Sequence, residues 1–462
     1  MRPYAGIEDP YRPGLFVQEN VQILRRYLWV EQGMMRLLAG RIPGTAEMDG
    51  KHALARHCWE DGQHATALRA RIPTMRTPAR LLDISPDTAL DRLLLEVGHA
   101  EDLTELLAGA YAVVKKELCT AYRWHLETTN HVADFPTVRE LRIILQEEEE
   151  QVEWAVDALE EMLTTDTERE RVVEWQEHLQ HLLAEAGGVH GREERQVATE
   201  PLRSEEPFRI SRHPRRDQQF RVNFQFNEPG DPPAETIPEK LIFMMRGRLN
   251  EMAAEENPAS ALYELEGESF ELYRDLSRHA FDEARHSMLG RAVIEHLGHD
   301  PREWPLRIGP GYSYLSVGPL ERYAHLGLNV EQGMMKYPPG KREEYEWCVQ
   351  VAEDMLAAMY QDYDWADEVY HTQIARQWVG THFAHNRQQM AAFAQAIAKE
   401  MAARTAAIRE AWETKRRVGD TLREGDPLPN PESTEGAVEG PPELTLTREE
   451  VETDLRRLAT TE

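Results

Sequence analysis

Two segments in the second half of the chain carry a glutamate three residues before a histidine: Glu283 with His286, and Glu368 with His371. Residues three apart on an α-helix lie on one face, so each pair would present a carboxylate and an imidazole together. Helical proteins that hold two metal ions use two such pairs, together with one glutamate from each of two further helices. The sequence therefore predicts a two-metal site, provided that two further glutamates lie on neighbouring helices.

Candidates for those glutamates occur on the helices that precede each pair. Glu331 precedes the second pair. Glu251 and Glu255 precede the first pair and lie one turn apart, so either can reach the centre. Glu255 is favoured because it shares its helical phase with Leu241 and Met245. Buried carboxylates are costly without cations, so two complete pairs are a stronger signal than one. The predicted metal ligands are Glu251 or Glu255, with Glu283, His286, Glu331, Glu368 and His371.

The first half of the chain repeats this layout with two departures. Asp61 stands where a glutamate is expected, and it is shorter by one methylene group. Gln151 stands where a histidine is expected, and an amide is a poorer ligand than an imidazole. We therefore predict a second, degenerate metal site formed by Glu31, Asp61, His64, Glu117, Glu148 and Gln151.

A six-residue identity links the two halves. Residues 30–35 have the sequence VEQGMM, which recurs unchanged at residues 330–335. Each copy is followed by a turn and then by a helix with an acidic residue three before a histidine. The repeat indicates an internal duplication in which Glu31 and Glu331 are equivalent.

Long stretches of helix-forming residues with short turns must position these side chains, and they predict an all-α fold. Residues 14–186 and 238–418 read as two helical domains. Between them, residues 187–237 are rich in Gly, Pro and Arg and read as an irregular arm, with room for one short strand in residues 219–226. Residues 419–462 read as an acidic, largely disordered tail.

With these residues in place, the chain resembles the ferritin-like di-iron carboxylate superfamily. The resemblance implies two tandem ferritin-like four-helix bundles joined by the arm, with the complete site in the second bundle. It also implies that the two halves pair as a pseudo-dimer, and it is compatible with a homodimer. Oxygen-rich ligands with two imidazoles suit two Fe ions, or Mn, better than zinc.

The function expected from this resemblance is that of an O2-activating di-iron oxidase or oxygenase. It would act on a small organic substrate, with O2 as co-substrate. The chain offers no reductase-like domain, so electrons would come from an external donor or the substrate. Two alternatives stay open: a ferroxidase or iron-handling protein, and a non-catalytic scaffold or partner protein. The degenerate first site fits the scaffold role for the first half alone.

Composition limits the kinds of binding partner and the cellular compartment that we expect for this protein. The formal net charge is −29, which argues against binding to nucleic acid or to anionic membranes. The N-terminal residues lack an apolar signal core, and no apolar stretch is long enough to span a membrane. The 3 cysteines are far apart and odd in number, which is typical of a reducing compartment. We therefore expect a cytoplasmic protein.

Overall fold

The computed structural model describes residues 2–7, 10–197, 200–225, 234–337, 340–417, 421–423 and 426. These residues are predominantly helical, which confirms the predicted all-α class. Contacts between Cα atoms divide the chain into two compact units. The first unit contains Met1–Leu38 and His57–Arg209, and the second contains Ala39–Arg56 and Ile210–Glu462.

The first unit is built on long helices whose starts follow local capping rules. Asp87 accepts a hydrogen bond from the Ala89 amide at the start of α3, and Thr165 forms a capping box with Glu168 at the start of α7. The helices are α1 (Val17–Arg41, of which residues 39–41 belong to the second unit), α2 (Met48–Arg71, of which residues 48–56 belong to the second unit), α3 (Thr88–Gly98), α4 (Leu103–Leu106), α5 (Lys116–Thr128), α6 (Phe135–Met162) and α7 (Asp166–Glu185).

A π-helical segment, Leu107–Lys115, joins α4 to α5 without a break. It packs against α6 and α7, and most of its side chains are buried. A π-helix turns more slowly per residue than an α-helix, so it changes which side chains face the core. This segment determines which side chain faces a cluster described below.

The second unit begins its helical part at the capping box of Thr236 and Glu239. Its helices are α8 (Ile237–Leu249), α9 (Met252–Glu264), α10 (Phe270–His296), α11 (Gly309–Leu315), α12 (Pro319–His325), α13 (Gln332–Met334), α14 (Lys341–Trp347), α15 (Met355–His382) and α16 (Arg387–Arg417). Two π-helical segments, Leu326–Glu331 and Cys348–Ala352, lie between them. Helix α10 packs against α8, α9 and α15, which places α10 and α15 side by side.

One helix predicted over residues 241–265 is interrupted in the structure. Helix α8 ends at Leu249, and α9 starts at Met252. Between them, the Asn250 side chain bonds to the Arg246 carbonyl oxygen at 2.8 Å and accepts from the Arg307 amide at 2.6 Å. These bonds from the side chain stabilise the break and change the direction of the chain just before Glu251.

The predicted arm contains no helix among its described residues after Glu185 and before Ile237. The short strand expected in residues 219–226 is confirmed as β1 (Val222–Asn223), which pairs in parallel with β2 (Leu306–Arg307). The contact-based units divide the arm at Arg209 and assign residues 39–56 to the second unit, whereas the sequence suggested one boundary region at 187–237. The predicted tail, apart from residues 421–423 and 426, lies outside the described residues.

Within the described ranges, none of the helices is both long enough and apolar enough to cross a membrane.

Candidate metal centre

Helices α10 and α15 each present three polar side chains on one face. On α10 these are His279, Glu283 and His286, and on α15 they are Asp364, Glu368 and His371. The spacing of four and then three residues keeps all three on one stripe of each helix. All six residues are at most 1% exposed. The helix faces therefore enclose a buried centre of carboxylates and imidazoles.

Four residues form the first ligand set, called set A: His279, Glu283, Glu331 and His371. His279 Nε2 lies 2.8 Å from Glu331 Oε1 and 3.4 Å from Glu283 Oε1. His371 Nδ1 also lies 3.4 Å from Glu283 Oε1, and the two imidazole rings stack with centroids 3.7 Å apart. Glu331 is the last residue of its π-helical segment, which brings it to the centre.

A second ligand set, called set B, adjoins set A and contains Glu251, His286, Asp364 and Glu368. His286 Nδ1 lies 3.2 Å from Glu251 Oε2 and 3.3 Å from Asp364 Oδ1. It is also 3.5 Å from Glu283 Oε2. Because the other oxygen of Glu283 faces set A, this carboxylate lies between the two sets.

Each imidazole is oriented by a residue on its far side. The Tyr323 hydroxyl lies 3.3 Å from His279 Nδ1, and Asp282 Oδ2 lies 3.4 Å from His371 Nε2. Asp367 Oδ2 lies 3.4 Å from His286 Nε2. One ring nitrogen of each histidine is thereby left to face the carboxylates, which is the arrangement of metal-ligating histidines in proteins.

Many of the buried ligand atoms have no hydrogen-bond partner, although they lie close together. In set A these are both carboxylate oxygens of Glu331, His279 Nε2 and His371 Nδ1. In set B they are Glu251 Oε2, His286 Nδ1 and Glu368 Oε2. Unsatisfied buried polar atoms are costly, and atoms that converge without bonding to one another suit a shared cation. The residues present therefore fit a metal ion.

Electrostatics within the centre favour the charged form of Glu283 and of the histidines. Burial raises the pKa of Glu283, but the neighbouring imidazoles of His279, His286 and His371 bring it well below its usual range. Burial lowers the pKa of His286, but Asp364, Asp367 and the glutamates raise it well above its usual value. Without a metal, protons on the imidazoles supply the positive charge that the carboxylates need.

Set B also contains two basic side chains that the sequence did not single out. Lys341 Nζ lies 2.8 Å from Asp364 Oδ1, 2.9 Å from Glu368 Oε1 and 3.7 Å from Glu251 Oε1. Arg248 Nη1 lies 2.5 Å from Glu251 Oε1. Burial and the charge of Arg248 lower the pKa of Lys341, but the three carboxylates raise it by a larger amount. The pKa therefore lies above its usual value, and the ammonium group stays charged. Among the described residues, no lysine or arginine pairs with the carboxylates of set A.

Of the two alternatives on α9 and its start, the structure places Glu251 in the centre and Glu255 outside it. Glu255 is fully buried, and its Oε2 lies 3.7 Å from His52 Nε2. The preference for Glu255 assumed one continuous helix over residues 241–265. The break at Asn250 changes the helical phase, and Glu251 rather than Glu255 then faces α10.

The position of Glu255 gives a pH-dependent prediction. Its carboxyl oxygens have no hydrogen-bond partner, and burial raises its pKa well above its usual value. The folded protein therefore keeps this proton at a pH where the unfolded chain has lost it, and its contribution to stability falls as pH rises. We expect Glu255→Gln to stabilise the protein increasingly between pH 5 and pH 8, by at most about 1.4 kcal/mol per pH unit, in denaturant unfolding.

A matched variant on the same helix should behave oppositely. Glu264 pairs with Arg322 and Arg212, and although burial raises the pKa of Glu264, these arginines lower it overall. Its contribution to stability is present at neutral pH and is lost as pH falls through the folded pKa. Glu264→Gln should therefore destabilise at pH 7. A Glu255→Gln protein that is less stable than wild type at pH 8, or that loses bound metal, would contradict the assignment.

In the first unit, the structure brings together Glu31, Asp61, His64 and Glu148, called the first-unit cluster. His64 Nδ1 lies 3.2 Å from Glu31 Oε2 and 3.3 Å from Glu148 Oε1. Lys115 Nζ enters the cluster, at 2.6 Å from Asp61 Oδ1 and 2.8 Å from Glu148 Oε1. Burial raises the pKa of Glu148, but Lys115 and His64 lower it to about 2. The predicted Gln151 lies at the edge, with Nε2 3.0 Å from Glu60 Oε2 and 3.4 Å from Asp61 Oδ1.

Glu117 was predicted in this cluster, but the structure places it elsewhere. It lies with His190 and Glu193, and burial followed by the Glu193 charge raises the pKa of Glu117 to about 7. The prediction assumed α-helical phase along an inner stripe formed by Leu106, Ala110, Val113, Glu117 and Trp124. The π-helical segment ends at Lys115 and changes that phase, so Lys115 rather than Glu117 faces the cluster.

Four polar residues of the centre were missed at the level of sequence. His279 and Asp364 lie four residues before Glu283 and Glu368, so the i, i+4 spacing could have identified both. Lys341 and Arg248 carried no comparable signal, because they reach set B from α14 and α8.

Taken together, fold and site define a predominantly helical protein in which each of two units encloses a buried carboxylate–histidine cluster. No protein-family model matches the sequence, and no curated protein or solved structure is significantly similar to it. Evidence for a function therefore comes from the chemistry of these residues.

Proposed function

We propose that the second unit is a non-haem iron oxidase or oxygenase whose centre is formed by sets A and B. The observation that supports it is the convergence of buried, unpartnered carboxylate and imidazole atoms on Glu283. Oxygen-rich ligands with imidazoles suit Fe(II) or Mn(II). The likeness of the ligand pattern to ferritin-like di-iron proteins points in the same direction.

The chain's own residues would hold and shield the metal. Set A supplies two imidazoles and two carboxylates, all at most 1% exposed, so bulk water is excluded from the ligands. Tyr323 and Asp282 keep His279 and His371 in one orientation. Bound Fe(II) would supply the electrons that reduce O2. A bound metal would therefore lie in a site without bulk water, where a reactive species is protected from side reactions.

A cavity lined in part by the π-helical segment that carries Glu331 suggests the class of substrate. It has a volume of about 740 Å³. Its polar lining includes Arg376, Arg387 and His385, and no aspartate or glutamate lines it. In a chain of net charge −29, a cavity lined by basic side chains favours a small organic anion, such as a carboxylic acid.

The test is iron binding followed by O2 consumption. Metal-free protein would be loaded with Fe(II) under anaerobic conditions and analysed by mass spectrometry, beside a His279→Ala/His371→Ala variant. O2 uptake would then be followed with ascorbate as donor and a panel of small carboxylic acids. His299→Ala is a suitable control, because the His299 side chain is 40% exposed and lies outside the centre. We expect bound iron and O2 uptake in wild type and in the control, and loss of both in the double variant.

The outcomes separate the alternatives. Iron that binds through His279 and His371 but consumes no O2 beyond its own oxidation would favour an iron-handling protein. A folded wild-type protein that binds neither Fe(II) nor Mn(II) would overturn the metal centre and leave a structural role.

A further inference from the structure

A buried lysine lies among the candidate metal ligands in each unit. Lys115 is 0% exposed and contacts Asp61 and Glu148 of the first-unit cluster. Lys341 is 1% exposed and contacts Asp364 and Glu368 of set B. Among the described residues, the carboxylates that pair with these two buried lysines are the ones that a metal ion would need.

A lysine and a metal ion cannot share these oxygens. The Nζ atoms lie 2.6–2.9 Å from the carboxylate oxygens. A first-row metal would bind the same oxygens at about 2.0–2.2 Å, which would bring two cations into contact. A buried ion pair is also costly to separate, because each charge would then lack a partner.

Set A differs from both of these sites. Its carboxylates, Glu283 and Glu331, pair only with histidines among the described residues. Both oxygens of Glu331 lack a hydrogen-bond partner. Among the described residues, set A is therefore the one of the three sites whose carboxylates pair with no lysine or arginine, so a metal ion can take that place.

We propose that Lys115 and Lys341 are internal cations that each occupy a metal position. Metal then binds to wild-type protein only at set A, one ion per chain, and the first-unit cluster is a latent metal site closed by Lys115. The part concerning Lys341 rests on the proposed metal centre, whereas the part concerning Lys115 does not. Removal of either lysine should open a new metal site.

The first-unit cluster retains the ligands for such a site. Asp61 Oδ2 and Glu148 Oε2 have no hydrogen-bond partner, and both residues are 0% exposed. Glu31 and His64 complete a set of three carboxylates and one imidazole. In set B, the removal of Lys341 would leave Glu251, His286, Asp364 and Glu368, with Arg248 still paired with Glu251 and lying 3.3 Å from Asp364 Oδ2.

The test is the number of Mn(II) ions bound by the full-length protein. Mn(II) shares the ligand preference of Fe(II) and is visible by electron paramagnetic resonance. We expect about one ion per chain in wild type and about two in Lys115→Met and in Lys341→Met. The second ion in Lys341→Met should be magnetically coupled to the first, because Glu283 lies between sets A and B. Lys116→Met and Lys336→Met are controls, since both lysines are exposed.

A second measurement distinguishes occupation from a purely structural role. Without metal, both lysine variants should melt at a lower temperature than wild type, because buried carboxylates lose their counter-charge. Saturating Mn(II) should restore much of that loss, since binding stabilises the folded state. If a single variant does not fold, a double variant replaces it: Lys115→Met/Asp61→Asn or Lys341→Met/Asp364→Asn. Each double variant preserves the net charge and keeps three of the four ligands of its site.

Each outcome supports or overturns the role proposed for Lys115 or Lys341. Two magnetically coupled ions in wild type would overturn the role of Lys341, and two uncoupled ions would overturn the role of Lys115. Folded lysine variants, single or charge-preserving, that bind no more Mn(II) than wild type would overturn the inference while leaving the metal centre intact. Wild type without any bound Mn(II) would overturn the proposed centre and the role of Lys341 with it, whereas a gain of one ion in Lys115→Met would still support the latent site.

Discussion

Replacement of Glu283 by alanine is expected to abolish metal binding in the second unit and to destabilise the metal-free protein. Glu283 lies within 3.5 Å of imidazole nitrogens of His279, His286 and His371 and is 1% exposed. Its removal leaves three buried imidazoles without their common carboxylate. Loss of one partner from a buried charged network typically costs about 3–5 kcal/mol. Metal affinity should fall by at least about 100-fold, since even indirect changes around a metal reach that size.

Two measurements would check this expectation. Denaturant unfolding of metal-free protein gives the change in stability, and equilibrium dialysis with Mn(II) gives the change in affinity. Glu295→Ala is the matched control on α10, because Glu295 is exposed and pairs with Arg291 at the surface. We expect its effect to stay within about 0.5 kcal/mol. A Glu283→Ala protein with wild-type metal content would show that the ligands lie elsewhere.

Replacement of Arg26 by alanine should have the largest effect on the first unit outside its cluster. The guanidinium group donates to the carbonyl oxygens of Val189 at 2.7 Å, Ala186 at 2.8 Å and Gly188 at 2.9 Å. It also pairs with Asp87, the N-cap of α3. Arg26 is 7% exposed, so its removal leaves several buried acceptors without donors. Each unsatisfied group costs about 1–3 kcal/mol, which predicts a total loss of about 3–5 kcal/mol.

The neighbouring arginine provides the comparison. Arg25 donates to the carbonyl oxygens of Leu81 and Ile84 but is only partly buried. Arg25→Ala should cost about 1 kcal/mol. Hydrogen exchange of the loop around Gly188 would locate the effect, because this loop should open in Arg26→Ala and stay protected in Arg25→Ala. Equal losses in the two variants would refute the role given to Arg26.

Much of the centre was predictable because helix geometry is local. The pairs on α10 and α15 were identified from a spacing of three residues, and the structure brings them together as that spacing implies. The VEQGMM repeat placed Glu31 and Glu331 in their respective clusters. The first copy of the repeat lies within α1. The second copy begins in the π-helical segment Leu326–Glu331 and continues through α13.

Two assignments failed where the helix departed from regular geometry. Glu117 was replaced by Lys115 because a π-helical segment precedes it. Glu255 was replaced by Glu251 because Asn250 interrupts the helix. A pattern that assumes 3.6 residues per turn cannot detect either change, since both depend on side-chain and packing contacts made elsewhere in the unit.

By itself, then, the sequence determined the helical class and the presence of carboxylate and imidazole side chains on shared helix faces. These follow from residue type and from spacings within one helix. Only the tertiary structure decided which cation meets each carboxylate. Lys115 reaches Asp61 across 54 residues of chain, and Lys341 reaches Asp364 from a separate helix. Charge neutralisation in a buried site depends on distances between helices, and those distances are set by packing rather than by local pattern.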